Sequence, residues 1–384
     1  MLVIHPMAGI YLHIPFCKKA CHYCNFHFST QTKHIDAFVT AVLKEIELQK
    51  GYLNEPVQTI YFGGGTPSLL EPSQLKQILE ALYTHFEIAP AIECTLEANP
   101  DDIDATQLAA WKNMGINRLS IGIQSFQAPA LNWMNRAHTI EQSHAAIELA
   151  HAAGFHNISI DLIYGTPSLS DAELMADLDW IEKYKINHVS CYALTVEDKT
   201  ALKKMIAKAQ IEAVDPEKQA RHFEVLTERL QAMGMEHYEI SNFAQPGHRS
   251  QHNSNYWSGI PYLGLGPSAH SFNQISRQWN IANNALYIQS ATMGALNFEI
   301  EYLTEANQYN EYMMTQLRRL EGFDIDFVKT HFGNSYFEHT LQVMDTLHTK
   351  HYFMQVGNRF ALTKEAKFLA DGIASDFFIL TMAQ

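Results

Sequence analysis

The stretch IYLHIPFCKKACHYCNF, residues 10 to 26, begins as an apolar run rich in β-branched and aromatic residues and ends in three cysteines. Five similar runs follow: VQTIYFGG, IECTLE, RLSIGIQSF, NISIDLIYG and HVSCYALTV, which begin near residues 57, 92, 118, 157 and 188. Runs of this composition and length indicate β-strands. We therefore predict six strands, the first of which leads directly into the cysteines.

Stretches with helical spacing separate these strands. Between residues 35 and 46, apolar side chains recur every three to four positions, as in an amphipathic helix. Further helices are expected near residues 72–86, 105–114, 139–153, 171–184 and 215–233. Alternating strands and helices indicate parallel βα units. Six such units suggest an α/β fold that is an open sheet or an incomplete barrel, and we predict the latter, a partial (β/α)6 barrel similar to a TIM barrel.

The alternation breaks in HYEISNFAQPGHRSQHNSNYWSGIPYLGLGPSAHSF, residues 237 to 272, which is rich in Gly, Pro, Asn and aromatic residues. From about residue 300, amphipathic helices alternate with short strands. We expect two domains, a barrel over residues 1–236 and a smaller α+β domain over 237–384.

Composition limits the classes of function. The 384 residues carry a net charge of -14, and no cluster of Lys and Arg suggests a nucleic-acid surface. We find neither a signal peptide nor a run of about 20 apolar residues. These features predict a cytoplasmic protein that is not integral to a membrane, and they leave peripheral membrane contact and homodimer formation open. Five cysteines are too few for a disulfide scaffold in a chain of this length.

Polar groups and glycines follow the predicted strands. The second strand ends in Gly63, Gly64, Gly65 and Thr66, and later strands reach Glu97, Gln124, Asp161 and Ala193. Parallel βα folds bind ligands at the carboxyl edge of the sheet, where these strand ends converge. We expect one site at this edge, beside the cysteines.

Three closely spaced cysteines fit two kinds of metal site. Structural zinc usually takes four ligands in two separated pairs, whereas Cys94 and Cys191 occur singly in predicted strands. Local histidines, His13, His22 and His27, keep a zinc site open. A cubane iron-sulfur cluster has four irons, so three thiolates would leave one iron for another ligand, which explains three cysteines better.

The C-x3-C-x2-C spacing of Cys17, Cys21 and Cys24, with Tyr23 before the last cysteine, resembles the radical S-adenosylmethionine (SAM) superfamily. The segments YFGGGTPSLL, LEANP, RLSIGIQSF, MNRAHT and IDLIYGTP extend the resemblance to anaerobic coproporphyrinogen III dehydrogenases and their haem-chaperone relatives, over essentially the whole chain. The resemblance implies a 4Fe-4S cluster on the three cysteines, with SAM bound to the remaining iron and cleaved by the reduced cluster.

The resemblance also implies the residues of the SAM pocket. Tyr11 and Tyr23 would lie beside the cluster and cofactor, and Gly64, Gly65 and Thr66 would meet the methionyl group. The rest of the pocket would comprise Glu97, Gln124, Arg136, Asp161 and Ala193.

Two features distinguish the branches of this family. The dehydrogenases have a further cysteine two positions after the third, where this chain has Phe26. The HNSNYW segment resembles the haem chaperones, which implies haem contacts by His252, Asn253, Tyr256 and Trp257, with His270 as an alternative ligand. Asn25 departs from the chaperone pattern, which usually has Asp there.

Three hypotheses follow. The favoured one is a radical SAM protein that binds haem and passes it to haem-accepting proteins, including respiratory ones. The alternatives are a coproporphyrinogen III dehydrogenase and a structural zinc protein. We expect SAM cleavage without coproporphyrinogen III dehydrogenase activity.

Overall fold

A computed structural model describes residues 7–348 and 350–380 of the chain. All six predicted strands are confirmed: β1 (Ala8–Ile14), β2 (Val57–Gly64), β3 (Ile88–Ala98), β4 (Arg118–Gln124), β5 (Ile158–Tyr164) and β6 (His188–Ala193). Each pairs in parallel with the next along the chain. Because their apolar side chains are buried between helices on one side and the barrel interior on the other, the runs are nearly continuous in sequence.

Eight helices accompany the parallel strands: α1 (Ile35–Leu48), α2 (Pro72–His85), α3 (Ala105–Asn113), α4 (Ala128–Met134), α5 (Ile140–Ala152), α6 (Asp171–Lys183), α7 (Ala201–Ala207) and α8 (Pro216–Ala232). The six predicted helices are confirmed. The helices α4 and α7 were not predicted, because seven residues are too few to show a helical period clearly. Short 3-10 turns lie at Thr32–His34, Pro67–Leu69, Pro100–Asp102 and Lys367–Leu369.

Local signals set where the longer helices begin. The Ser170 hydroxyl accepts a hydrogen bond from the N–H of Glu173, whose carboxylate accepts from Ser170 in return. Thr139 and Gln142 form the same reciprocal arrangement at the start of α5. These capping boxes satisfy backbone donors that the first helical turn leaves unpaired.

The sheet continues beyond both edges of the six parallel strands. At one edge, β6 pairs with β8 (Asn242–Ala244), which pairs with β7 (Glu236–Glu239). At the other edge, β1 pairs in parallel with β9 (Tyr262–Leu265), followed by β10 (His270–Phe272), β11 (Ser276–Asn280) and β12 (Phe298–Tyr302). The strand order runs from β12 to β7 without closing, which confirms a partial barrel.

The C-terminal part is smaller and contains both helices and strands, as expected. Its helices are α9 (Gln251–Trp257), α10 (Asn284–Thr292), α11 (Glu305–Leu317), α12 (Ile325–Phe327), α13 (Asn334–His348) and α14 (Ala370–Asp376), with a π-helical turn at Val328–Phe332. Its separate sheet contains β13 (Phe323–Asp324), β14 (Phe353–Val356) and β15 (Arg359–Leu362). None of the helices in the described ranges is long and apolar enough to cross a bilayer.

Buried apolar residues form two clusters. The larger runs from Ile10 to Ala291, and the smaller from Tyr309 to Phe377. The predicted division at residue 236 stays a prediction, and β9 to β12 on its far side share the sheet of the barrel strands. The ends of the two predicted domains, residues 1–6 and 381–384, lie outside the described residues.

A buried carboxylate connects α1 to the strands added beside β1. Glu45 is fully buried and accepts hydrogen bonds from the N–H of Gly266 at 2.8 Å, the amide of Asn280 at 2.6 Å and the hydroxyl of Tyr287 at 2.5 Å. Burial raises the pKa of Glu45, whereas these donors favour its ionised form. The contacts join residues more than 200 positions apart in the chain.

Replacing Glu45 with alanine is expected to lower the free energy of unfolding by about 3 kcal/mol, because three donors lose their acceptor in a buried site. Urea denaturation followed by circular dichroism measures the change. The matched control is Glu47→Ala on the same helix, whose exposed carboxylate contacts only Lys44 at 2.8 Å and whose loss should leave the midpoint nearly unchanged. Equal midpoints for both variants would contradict this role of Glu45.

Candidate cofactor site

The three clustered cysteines line a cavity of about 570 Å³ at the carboxyl edge of the parallel strands. The loop that holds them returns to β1: the N–H of Cys17 donates to the carbonyl of Ser29 at 3.1 Å, and the N–H of Ser29 donates to the carbonyl of Pro15 at 2.9 Å. Twelve of the predicted cluster and SAM residues line this cavity: Cys17, Cys21, Tyr23, Cys24, Gly64, Gly65, Thr66, Glu97, Gln124, Arg136, Asp161 and Ala193.

Burial affects the protonation of two of the three thiols. Burial raises the pKa of Cys17 to about 11 and also raises the pKa of Cys24, so a nearby cation is needed to hold them as thiolates at neutral pH. Among the described residues, no three His, Cys, Asp or Glu side chains are placed to hold a single metal ion. A cubane fits three spread donors, since each cysteine binds a different iron.

The nearby histidines make hydrogen bonds within the protein, and such bonds are compatible with metal ligation through the other ring nitrogen. A ring nitrogen of His13 hydrogen-bonds the carbonyl of His27 at 2.7 Å, and one of His22 bonds the carbonyl of Trp133 at 2.9 Å. His27 itself bonds the side chain of Asn284 at 2.6 Å. Among the described residues, no histidine joins the three cysteines in a set of side chains placed to hold a single metal ion.

The glycine loop after β2 passes very close to the cysteine loop. The N–H of Gly65 donates to the carbonyl of Ile14 at 2.8 Å. A Cβ atom at Gly65 would lie 2.7 Å from the carbonyl oxygens of both Ile14 and Phe16. Gly64 has a φ of +103° and a Cβ there would meet the ring of His13 at 2.6 Å. Only glycine fits these two positions.

Arg136 reaches the cavity from the end of α4. That helix ends at Asn135, which has the left-handed φ of 60°. One guanidinium nitrogen of Arg136 donates to the Asn99 side chain at 2.7 Å and to the Gly122 carbonyl at 2.8 Å, and the other lies 3.4 Å from the Cys21 sulfur. The sequence interpretation missed Asn99, although it follows Glu97 by two positions in the LEANP segment.

Two partly buried carboxyl groups, Glu97 and Asp161, also line the cavity. Burial, together with the negative charge of Asp161, raises the pKa of Glu97 to about 8, and burial raises the pKa of Asp161 to about 6. The Tyr61 hydroxyl donates to Glu97 at 2.8 Å, and the N–H of Gly64 donates to it at 3.2 Å. These carboxyl groups add hydrogen-bond acceptors to a cavity that also presents glycines, thiols and the guanidinium of Arg136.

Tyr11 does not line the cysteine cavity, and its predicted place beside the cofactor stays a prediction. It precedes the end of β1 by three residues, so it is about 10 Å below the sheet edge at about 3.3 Å per residue. There it faces Tyr61 on β2, with ring centroids 6.2 Å apart. Tyr11 lines a second cavity of about 1100 Å³ rather than the cysteine cavity.

Only some of the predicted haem residues line the second cavity. Tyr256, Trp257 and His270 line it, whereas His252 and Asn253 are not among its lining residues. His252 is buried, and its two ring nitrogens hydrogen-bond the hydroxyls of Thr59 at 2.7 Å and Tyr256 at 2.9 Å. An iron ligand would have to break one of these bonds.

The two cavities meet at Asn25 and Phe26, and α9 lines the second cavity. Asn25 and Phe26 line both of them, and 65% of the Phe26 side chain is exposed. On the other side, the guanidinium of Arg318, which lines the first cavity, lies 4.9 Å from the ring centroid of Trp257. The carboxylate of Glu93 accepts from the first backbone N–H groups of α9 and so holds this helix at its positive end.

Comparison with known proteins identifies the family. Residues 11–181 match the Radical SAM superfamily. A protein named heme chaperone HemW from Mycobacterium tuberculosis is 34% identical over 95% of this chain and 93% of its own length. This chain belongs to the HemW family of radical SAM proteins. Further HemW proteins from Bacillus subtilis and Escherichia coli are each 33% identical, over 82% and 69% of this chain and 84% and 70% of their own lengths.

A solved structure supports the HemW fold seen here. Coproporphyrinogen III oxidase (HemN) from Escherichia coli, described as a radical SAM enzyme, matches with a TM-score of 0.84 over 97% of this chain and 90% of that chain. The two are 22% identical, so the likeness concerns the fold. Membership in the radical SAM family implies a 4Fe-4S cluster and SAM as cofactors.

Replacing Cys17 with alanine is expected to reduce the iron bound after anaerobic reconstitution from about four atoms per chain to below about one, because two thiolates hold a cubane poorly. Iron and sulfide analysis with visible absorption measures the loss. The matched control is Cys191→Ala: Cys191 is buried in β6 and does not line the cavity. Full iron content in the Cys17 variant, or equal loss in the control, would contradict the assignment.

Proposed function

We propose that this chain binds haem and delivers it to haem-accepting proteins, with a 4Fe-4S cluster and SAM in the first cavity. The observation that carries the proposal is the similarity to heme chaperone HemW over 95% of the chain. A match of this length extends into the C-terminal part, whose helix α9 lines the second cavity. The two separate cavities fit this function, since one offers thiols and glycines and the other offers aromatic rings and imidazoles.

The proposed roles in the first cavity follow from its donors and acceptors. Cys17, Cys21 and Cys24 would hold the cluster, and the loop of Gly64, Gly65 and Thr66 would take the methionyl group of SAM. The Arg136 guanidinium would pair with its carboxylate. Glu97 and Asp161 would accept from polar hydrogens of the cofactor, with Tyr23, Gln124 and Ala193 completing the pocket.

A reduced cluster supplies the electron that cleaves a carbon-sulfur bond of SAM. The protein contributes position and exclusion of water. Arg136 is held by Asn99 and the Gly122 carbonyl before any ligand arrives, so little side-chain ordering remains for binding. Glu97 is hydrogen-bonded to Tyr61, which fixes its orientation inside the cavity.

Coproporphyrinogen III dehydrogenase activity is the less favoured function. Phe26 stands where the resemblance to the dehydrogenases calls for a cysteine, and it lies between the two cavities with an exposed ring. The fold shared with HemN does not carry its reaction to this chain.

We further propose that the chain works in the cytoplasm, which its five free cysteines support, and that its acceptors include respiratory proteins. Homodimer formation and peripheral membrane contact stay predictions.

Replacing Gly65 with alanine is expected to weaken SAM binding by at least about ten-fold, because an overpacked contact of this kind costs about 1–3 kcal/mol. Equilibrium dialysis of labelled SAM at equal cluster content measures the change. Gly51→Ala is the matched control, since a Cβ at Gly51 meets no atom within 4 Å. Wild-type SAM affinity in the Gly65 variant would remove the glycine loop from the proposed pocket.

For the function itself, the anaerobically reconstituted protein is expected to bind hemin with a defined Soret band and to pass it to apomyoglobin. The same sample should not decarboxylate the propionate side chains of coproporphyrinogen III in the presence of SAM and a reductant. Absorption spectroscopy and product chromatography measure these outcomes. Conversion of coproporphyrinogen III to protoporphyrinogen IX, or failure to bind hemin, would overturn the proposal.

A further inference from the structure

The second cavity combines three features that a porphyrin requires. Its volume of about 1100 Å³ exceeds that of most small-molecule sites. Aromatic side chains from several distant elements line it: Phe26, Tyr256, Trp257, Tyr262, Phe272, Tyr312, Phe327 and Phe332. Flat rings on several sides suit a large planar ligand.

The cavity is also positively charged, although the whole chain carries -14. Three arginines line it, Arg277, Arg319 and Arg359, against two carboxylates, Glu311 and Asp324. Arg277 is paired with Glu311 at 2.8 Å. Arg359 donates mainly to the backbone carbonyls of Glu321 and Gly322, and Asp324 approaches it only to 3.6 Å. Its charge can therefore pair with a carboxylate that enters the cavity.

Among the imidazoles that line the cavity, His270 is best placed to bind iron. His13 and His27 use ring nitrogens in hydrogen bonds of 2.7 and 2.6 Å. His331 lies flat against Phe327, with centroids 4.8 Å apart. His270 has an exposed side chain, and partial burial and the charge of Arg277 lower its pKa, which favours the neutral form that ligates metals.

The sheet fixes the position of His270. His270 is the first residue of β10 and pairs with Trp279 of β11, and the two rings stack with centroids 5.9 Å apart. The preceding turn contains Gly266 and Ser268, with φ values of +97° and +65°. The backbones of residues 264 and 270 approach so closely that a Cβ at Gly264 would lie 2.0 Å from the carbonyl oxygen of His270. The side chain of His270 therefore projects from a β-strand rather than from a loop.

We propose that haem occupies the second cavity with His270 as an axial ligand of its iron and with Arg359 paired to a propionate. The inference rests on the proposed haem binding and names its site. Tyr256 and Trp257 would contact the macrocycle. His252 would act as a positioning residue, since its bonds to Thr59 and Tyr256 orient the wall of the cavity. Haem and the cluster would therefore occupy different cavities, which meet at Asn25 and Phe26.

The test is a hemin titration of the cluster-loaded protein with His270 replaced by alanine. The dissociation constant is expected to rise at least about ten-fold, with a changed Soret band and unchanged iron-sulfur content. Added imidazole should restore the histidine-type spectrum, which a purely structural loss would not allow. His34→Ala is the matched control, since His34 is exposed and lines neither cavity.

A second variant fills the cavity without touching an iron ligand. Met314 lines the cavity from α11 and is 36% exposed, so Met314→Trp should fold normally and weaken hemin binding. Wild-type affinity in both the His270 and Met314 variants would overturn the site. Loss of binding in His252→Ala, with His270→Ala unaffected, would make His252 the ligand instead. Absence of hemin binding in the unaltered protein would contradict the proposed function itself.

Discussion

The parallel pairing of β1 with β2 is the contact on which the cofactor site depends. It sets Ile14 opposite Gly64, and the next residue, Gly65, donates its N–H to the carbonyl of Ile14. The cysteine loop and the glycine loop therefore leave the sheet at the same point and remain in backbone contact. Strands β3 to β6 add in parallel beside them, so their terminal polar groups reach the same edge. A shift in this register would separate the thiols from the rest of the pocket.

Local patterns in the sequence were sufficient for the barrel and for most of the cavity. The six strands are continuous apolar runs because both of their faces are covered, and parallel topology alone brings Glu97, Gln124 and Asp161 to one edge. The extension through β9 to β12 was not predicted, since its strands are short and its attachment to the barrel depends on pairing between residues about 250 positions apart, as in Gly9 with Tyr262. The burial of His252 depends likewise on a distant partner, Thr59 of β2.

The structure gives the HNSNYW segment a different meaning from the one that its composition suggests. A histidine beside two aromatic residues resembles a haem ligand, but His252 lies behind Tyr256 and is hydrogen-bonded through both ring nitrogens. The helix α9 is instead a wall, held at its start by Glu93 and in contact with Arg318 near its end. In the proposed arrangement, this wall would help to keep a reactive cofactor and a bound porphyrin in different cavities.

In the proposed cofactor site, three thiolates hold a cubane whose remaining iron binds SAM. Mössbauer spectroscopy of protein reconstituted with isotopically labelled iron tests this arrangement most directly, because one iron of the cluster should differ from the others. We expect added SAM to change the signal of that iron alone. A spectrum of isolated iron ions, or a cluster spectrum that SAM leaves unchanged, would contradict the proposed site.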